Sequence, residues 1–133
     1  MAKTPLIKKL RIQSGQHVLI LNAPSGYFDL LGDLPEDVTV SESAGGDAYD
    51  FVQFFAKDSE ELKSLRPVAL AAVAYDGLLW LCYPKKSSGV DSDLSREVVW
   101  EMMNGTGFRP VTQIAIDKTW SALRFRPAER VGR

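Results

Sequence analysis

The chain has one cysteine, Cys82, and one histidine, His17, among 133 residues. A single cysteine excludes an internal disulfide and a zinc site built on several thiolates. No cluster of His, Cys, Asp and Glu has metal-ligand spacing, so no metal site is expected. No apolar run approaches the roughly 20 residues that cross a bilayer. The first ten residues, with Lys3, Lys8 and Lys9 among them, lack the apolar block of a secretory signal. Neither a Gly-x-x-x-x-Gly-Lys-Ser/Thr phosphate loop nor a Gly-x-Ser-x-Gly nucleophile elbow occurs. Internal repeats and low-complexity tracts are missing too. The expectation is one domain over residues 1–133 with a flexible tail over 128–133, cytoplasmic and without a membrane partner.

What is present is a globular mixture, 45% hydrophobic and 25% charged, enough for one proper core. Net charge is −1, but the charges are sorted along the chain. Residues 1–28 hold four bases and no acid, and residues 29–61 hold ten acids and one base, Lys57. The acidic middle argues against nucleic acid lying across it, because it repels phosphates. The basic C-terminal group, Arg124, Arg126, Arg130 and Arg133, can attract an anion or stay a solvated surface.

Apolar strands alternate with helices. Thr4 and Pro5 predict an N-cap and a first helical position for a short helix carrying Leu6, Ile7 and Leu10. His17 to Asn22 is an apolar strand, internal to a sheet. Tyr27 to Leu31 gives one or two helical turns, Val38 to Ser43 a short strand, Gly45-Gly46 a turn and Phe51 to Phe55 a buried strand. Asp58 and Glu61 predict a capped helix with Leu62, Leu65, Ala69 and Val73 inward, kinked or restarted at Pro67. Asp76-Gly77 turns into a strand over Leu78 to Tyr83. Ser92 or Asp93 starts a helix bearing Leu94, Val98 and Met102, stopped at Asn104-Gly105. Val111 to Ile116 and Trp120 to Phe125, three residues apart, form a hairpin. Trp80 and Trp100 are expected in or near the core. The fold class is α/β, a three-layer Rossmann-like, mostly parallel sheet with a C-terminal antiparallel β-hairpin.

This order resembles the class I methyltransferases that use S-adenosylmethionine (SAM). The residues carrying the likeness are Lys-Leu-Arg-Ile-Gln-Ser-Gly-Gln-His-Val-Leu-Ile-Leu, then Ala-Tyr-Asp-Gly-Leu-Leu-Trp-Leu, and the final hairpin. The chain is also similar to small bacterial proteins of unknown function with Asn-Ala-Pro-x-Gly-Tyr and Tyr-Pro-Lys-Lys-Ser-Ser-Gly. The methyltransferase resemblance implies a SAM cofactor, an acidic residue with two or three spaced glycines after the first strand, and a second acid at the end of the second strand. Here the first positions are Asn22 and the lone Gly26, with Pro24 between them, which has no N–H to donate. Glu42 is the counterpart of the second acid, or else a surface glutamate. Glu42 to Phe51 is too short for a further strand and helix, so an edge unit is missing and the topology is a reduced one.

Chemistry in such sheets gathers at the carboxyl ends of parallel strands. The candidate ligand-binding residues are Asn22, Gly26, Tyr27, Glu42, Tyr83, Lys85, Lys86, Ser87, Ser88, Gly89, Asp117 and Trp120. Lys85-Lys86-Ser87-Ser88-Gly89 offers ammonium groups, hydroxyls and close backbone approach, a cradle for a small anionic or nucleotide-like ligand, or a solvated polar loop. His17 starts its strand at the opposite edge, and no histidine is placed to activate Cys82. Asp91 and Asp93 are expected to cap the following helix. No catalytic residue can be named. Two function classes follow: a methyltransferase-like domain that binds a ligand, with or without catalysis, and a non-catalytic interaction module. A homodimer is expected from the exposed edge strand near Val38 to Ser43.

Overall fold

Val18, Leu19 and Ile20 are fully buried on both faces of their strand, as strands with neighbours on each side require. In the computed structural model, which describes residues 5–45 and 48–131, this strand is β1, His17–Leu21. It lies between β2 (Thr39–Ser41) and β3 (Tyr49–Phe55), parallel to both. Then come β4 (Val73–Pro84), parallel to β3, and the antiparallel hairpin β5 (Phe108–Ala115) and β6 (Trp120–Pro127). The six strands run in the order β2-β1-β3-β4-β6-β5, with β6 antiparallel to β4. The three-layer α/β fold with its C-terminal hairpin is therefore the one expected, and β2 forms one edge with no further unit beyond it among the described residues.

Helices cover both faces. Leu10 of α1 (Leu6–Leu10) and Tyr27 and Leu31 of α2 (Tyr27–Leu31) pack with Val18, Ile20, Phe51, Phe55 and Trp80. On the other face, Leu62, Ala69 and Ala72 of α3 (Ser59–Ala72) join Val99 and Met103 of α4 (Arg96–Met103) over Leu19, Val52, Phe54 and Leu79. Arg66 ties the two helices by donating from Nη1 to the Met102 carbonyl.

Several local expectations shift. Pro5 is the N-cap of α1 rather than its first residue, and Thr4 lies outside the described residues, as do Gly46 and Arg133. α3 runs through Pro67 without a break, leaving the Lys63 carbonyl without its helical donor. Val73 ends that helix and opens β4. Asp76-Gly77 is not a turn but an irregularity inside β4, where Asp76 adopts φ 56° and the register with β3 slips. A Cβ on Gly77 would stand 3.0 Å from both the Ala74 and Asp50 carbonyl oxygens, so only glycine lets the two strands pass this closely. Helix α4 starts later than expected, with Ser95 as its cap. Trp100 is 45% exposed on α4, under the Arg96 guanidinium 5.2 Å from its ring, and is not a core residue. The register of α4 turns Val99 and Met103 inward and leaves Trp100 outward.

Candidate functional site

The chain leaves β1 and crosses to β2 on one side, and β3 pairs on the other. The gap between the carboxyl ends of β1 and β3 is thus the switch point, where open α/β sheets hold ligands. Asn22 stands there at φ 58°, a left-handed conformation that asparagine tolerates. Its Nδ2 donates to the Phe55 carbonyl at the end of β3 (2.8 Å) and to Glu61 Oε1 on α3 (3.1 Å). The amide therefore spans the gap. Gly26 at φ 81° then turns the chain into α2. This places the Tyr27 side chain in the core, 2% exposed, where its hydroxyl donates to Gln53 Oε1 (2.9 Å).

Gln53 is fully buried, and its Nε2 lies 3.3 Å from Cys82 Sγ. Burial pushes the Tyr27 hydroxyl and the Cys82 thiol well above their ordinary ranges, so both stay protonated. The Tyr27 ring meets Phe55 edge-on at 4.8 Å, and Trp120 meets Phe55 from another side at 5.1 Å. The carboxyl end of β3 is capped by aromatic packing. Sequence reasoning missed Gln53, whose signal was a lone amide inside the apolar run Phe51 to Phe55.

The remaining candidates fall into two separate places. Glu42 lines a groove of about 620 Å³ with Leu21, Asn22, Glu60, Glu61 and Val68, beside edge strand β2. Three carboxylates there disfavour an anion. Lys85 and Lys86 border a hollow of about 380 Å³ with Ser92, Asp93 and Ser95. The loop around them is largely satisfied from within. Lys85 Nζ donates to the Asp117 carbonyl (2.6 Å), and the Ser88 hydroxyl donates to the Lys85 carbonyl (2.6 Å). Ser87 and Ser88 belong to a single 3-10 turn, Lys86–Ser88, closed by Gly89 at φ 82°.

Asp117 Oδ1 accepts from the Thr119 and Trp120 amides (both 2.8 Å) and shapes the hairpin turn. Tyr83 is buried at the end of β4, and that burial raises its hydroxyl pKa. Asp93 does not cap α4. It accepts from the Ser59 amide (2.8 Å) and from the Ser59 hydroxyl, bonds that hold its carboxyl below the ordinary range. His17 sits at the far edge, its ring 4.3 Å from that of Tyr49. The described residues hold no group of three or more His, Cys, Asp and Glu able to hold a metal.

Solved structures share this fold. N-methyltransferase NodS from Bradyrhizobium japonicum WM9, in complex with S-adenosyl-L-homocysteine (SAH), aligns with a TM-score of 0.61 and 10% identity, over 92% of this chain and 83% of that one. A SAM dependent methyltransferase from Aquifex aeolicus aligns with a TM-score of 0.56 and 16% identity, over 90% and 86%. DhpI, in complex with SAH, aligns with a TM-score of 0.63 and 14% identity, over 93% and 83%. No protein-family model and no curated protein matches the sequence. At these identities the likeness establishes the fold alone, a Rossmann-like α/β fold like that of these methyltransferases.

Proposed function

We propose that this chain is a degenerate methyltransferase-like domain that binds a partner or small ligand and transfers no methyl group. The observation carrying this reading is the Asn22 amide, which bridges the ends of β1 and β3 at the switch point. The residues there fit SAM poorly. Asn22 spends its donor within the protein, Pro24 has none, and Tyr27 and Trp120 pack onto Phe55. Glu42 keeps its place at the end of β2, but among other carboxylates. Three groups are poorly placed as a base: the Tyr27 and Cys82 protons are held by burial, and His17 is at the wrong edge.

Isothermal titration with SAM and SAH tests the reading. No detectable heat at millimolar ligand is expected, and micromolar affinity for either would overturn it. The open outer edge of β2 supports a second form of the same reading, pairing with another chain such as a second copy. Light scattering that returns a single-chain mass at working concentration would remove the homodimer.

A further inference from the structure

We propose that Arg11, Arg124 and Arg126 form a site for a phosphate-class oxyanion, beside Trp80 of β4 and on the flank of the hairpin. This does not rest on the absence of methyl transfer. The site begins with Trp80, whose Nε1 donates to the Leu10 carbonyl (3.0 Å) and so brings the end of α1 against β4. Arg11 is the next residue, the exposed left-handed C-cap of α1. Arg124 pairs with Trp80 across the β4–β6 ladder, and Arg11 is near enough for its charge to act on that of Arg124. Arg126, two residues on, projects from the same face, and Arg109 is its partner on β5.

The charges on this face are unbalanced. Asp76 binds Arg126 through two bonds of 2.9 and 2.8 Å and Arg130 through one of 3.3 Å. Among the described residues Arg124 and Arg11 have no carboxylate within ion-pair distance. The Nε of Arg124 is buried with no acceptor. Burial first, and then the nearby Arg11 and Arg126, lower its pKa, with Asp76 opposing them. A guanidinium is a planar fork of five donors matched to carboxylate and phosphate oxygens. An oxyanion drawn to the outer nitrogens of Arg124 and to Arg11 supplies the missing charge. A tetrahedral oxyanion fits better than a single carboxylate because it has oxygens for more than one fork.

Titration of the whole protein with inorganic phosphate at low ionic strength tests this. Isothermal titration would give the affinity, and arginine Nε–H NMR resonances the location. Saturable binding is expected, with a shift of the Arg124 Nε–H signal and a loss of affinity of roughly tenfold or more in Arg124→Met. Arg11→Met, at an exposed position, should weaken binding in the same direction and guards against misfolding of the Arg124 variant. The double variant Lys85→Ala with Lys86→Ala should bind as the parent does. No saturable binding at millimolar phosphate, an equal response to chloride, unchanged affinity in both arginine variants, or loss confined to the lysine variant would each overturn the site.

Discussion

Replacing Asn22 with aspartate restores the acid that the methyltransferase resemblance implies, and the structure says the protein will be weaker for it. The amide donates twice, to the Phe55 carbonyl (2.8 Å) and to Glu61 Oε1 (3.1 Å). A carboxylate can donate to neither. The lost bonds at this exposed position are worth about 1 kcal/mol each. The new charge also faces Glu61 at close range, which adds roughly 1 kcal/mol of repulsion in a watery dielectric. The sum is about 2–3 kcal/mol. Unfolding entropy near 60 °C is about 2.1 cal/mol/K per residue, so the melting temperature should fall by roughly 7–11 °C for this chain.

Urea titration followed by tryptophan fluorescence, alongside thermal melts, reads the effect. Both should be repeated near pH 7 and below the carboxylate range, at about pH 3. A like charge raises the pKa of the new carboxyl in the folded state, so the deficit exists above that pKa and shrinks as pH falls through it. Asn22→Asp as stable as the parent at pH 7, or a deficit that does not shrink in acid, would refute the bridging role. Gain of SAM binding by Asn22→Asp would refute the functional reading as well.

The buried pair of Tyr27 and Gln53 obeys a different arithmetic. Tyr27→Phe leaves Gln53 Oε1 without its donor and should cost about 1–3 kcal/mol, while Tyr27→Phe with Gln53→Leu should cost clearly less than the sum of the two single changes. Additive urea midpoints would rule out the coupling. Asp58→Ala removes the side chain that accepts from the Glu61 amide at the start of α3 (2.9 Å) and should destabilise by about 1 kcal/mol in chemical denaturation. The Arg126 bonds hold the Asp76 carboxyl below its ordinary value of 3.8. Its contribution is therefore present above that pH and lost as pH falls through the folded-state pKa. Asp76→Asn should be weaker than the parent at neutral pH and indistinguishable in strong acid, and an equal gap at both would count against the pairing.

The sheet was legible because its strands are apolar on both faces and its helices carry their own stops. β1, β3 and the hairpin could be placed from residues 17–22, 51–55 and 111–125 with ends off by one to three positions, whereas β4 begins at Val73 rather than Leu78 because Asp76-Gly77 breaks the ladder without ending it. The candidate positions at strand ends were legible too, from alternation alone. How those side chains are used was not. The partners of Asn22 lie 33 and 39 residues away, and those of Asp93 lie 34 away. No local pattern distinguishes an asparagine that awaits a ligand from one that closes the gap itself. The Arg124 environment was hidden for the same reason, since it needs the α1 C-terminus brought against β4 by a bond spanning 70 residues.

Helix N-termini are the ready-made anion sites of folds like this one, because their first amides have no helical acceptor. Here both long helices that start at the carboxyl edge spend those amides on their own chain. At α3 the Asp58 carboxylate takes the Glu61 amide, the Glu61 carboxylate takes the Lys57 amide (2.9 Å), and Asp93 takes that of Ser59. At α4 the Ser95 hydroxyl takes the Val98 amide (3.2 Å). Carboxylates in the first turn, Glu60 and Glu61 on α3 and Glu97 on α4, already sit at the positive ends of the helix dipoles. An incoming anion would have to displace bonded carboxylates at an edge where such folds usually welcome it. Around Arg124 of β6 and Arg11 the balance is reversed, with neither having an ion-pair partner among the described residues. Arg124 lies four residues along β6 from Trp120, roughly 13 Å and a little more than one Debye length at 0.1 M salt, so the carboxylates of that edge act on it only weakly. Among the described residues, the carboxyl edge therefore carries bonded carboxylates, while the arginines without an ion-pair partner lie away from it beside Trp80.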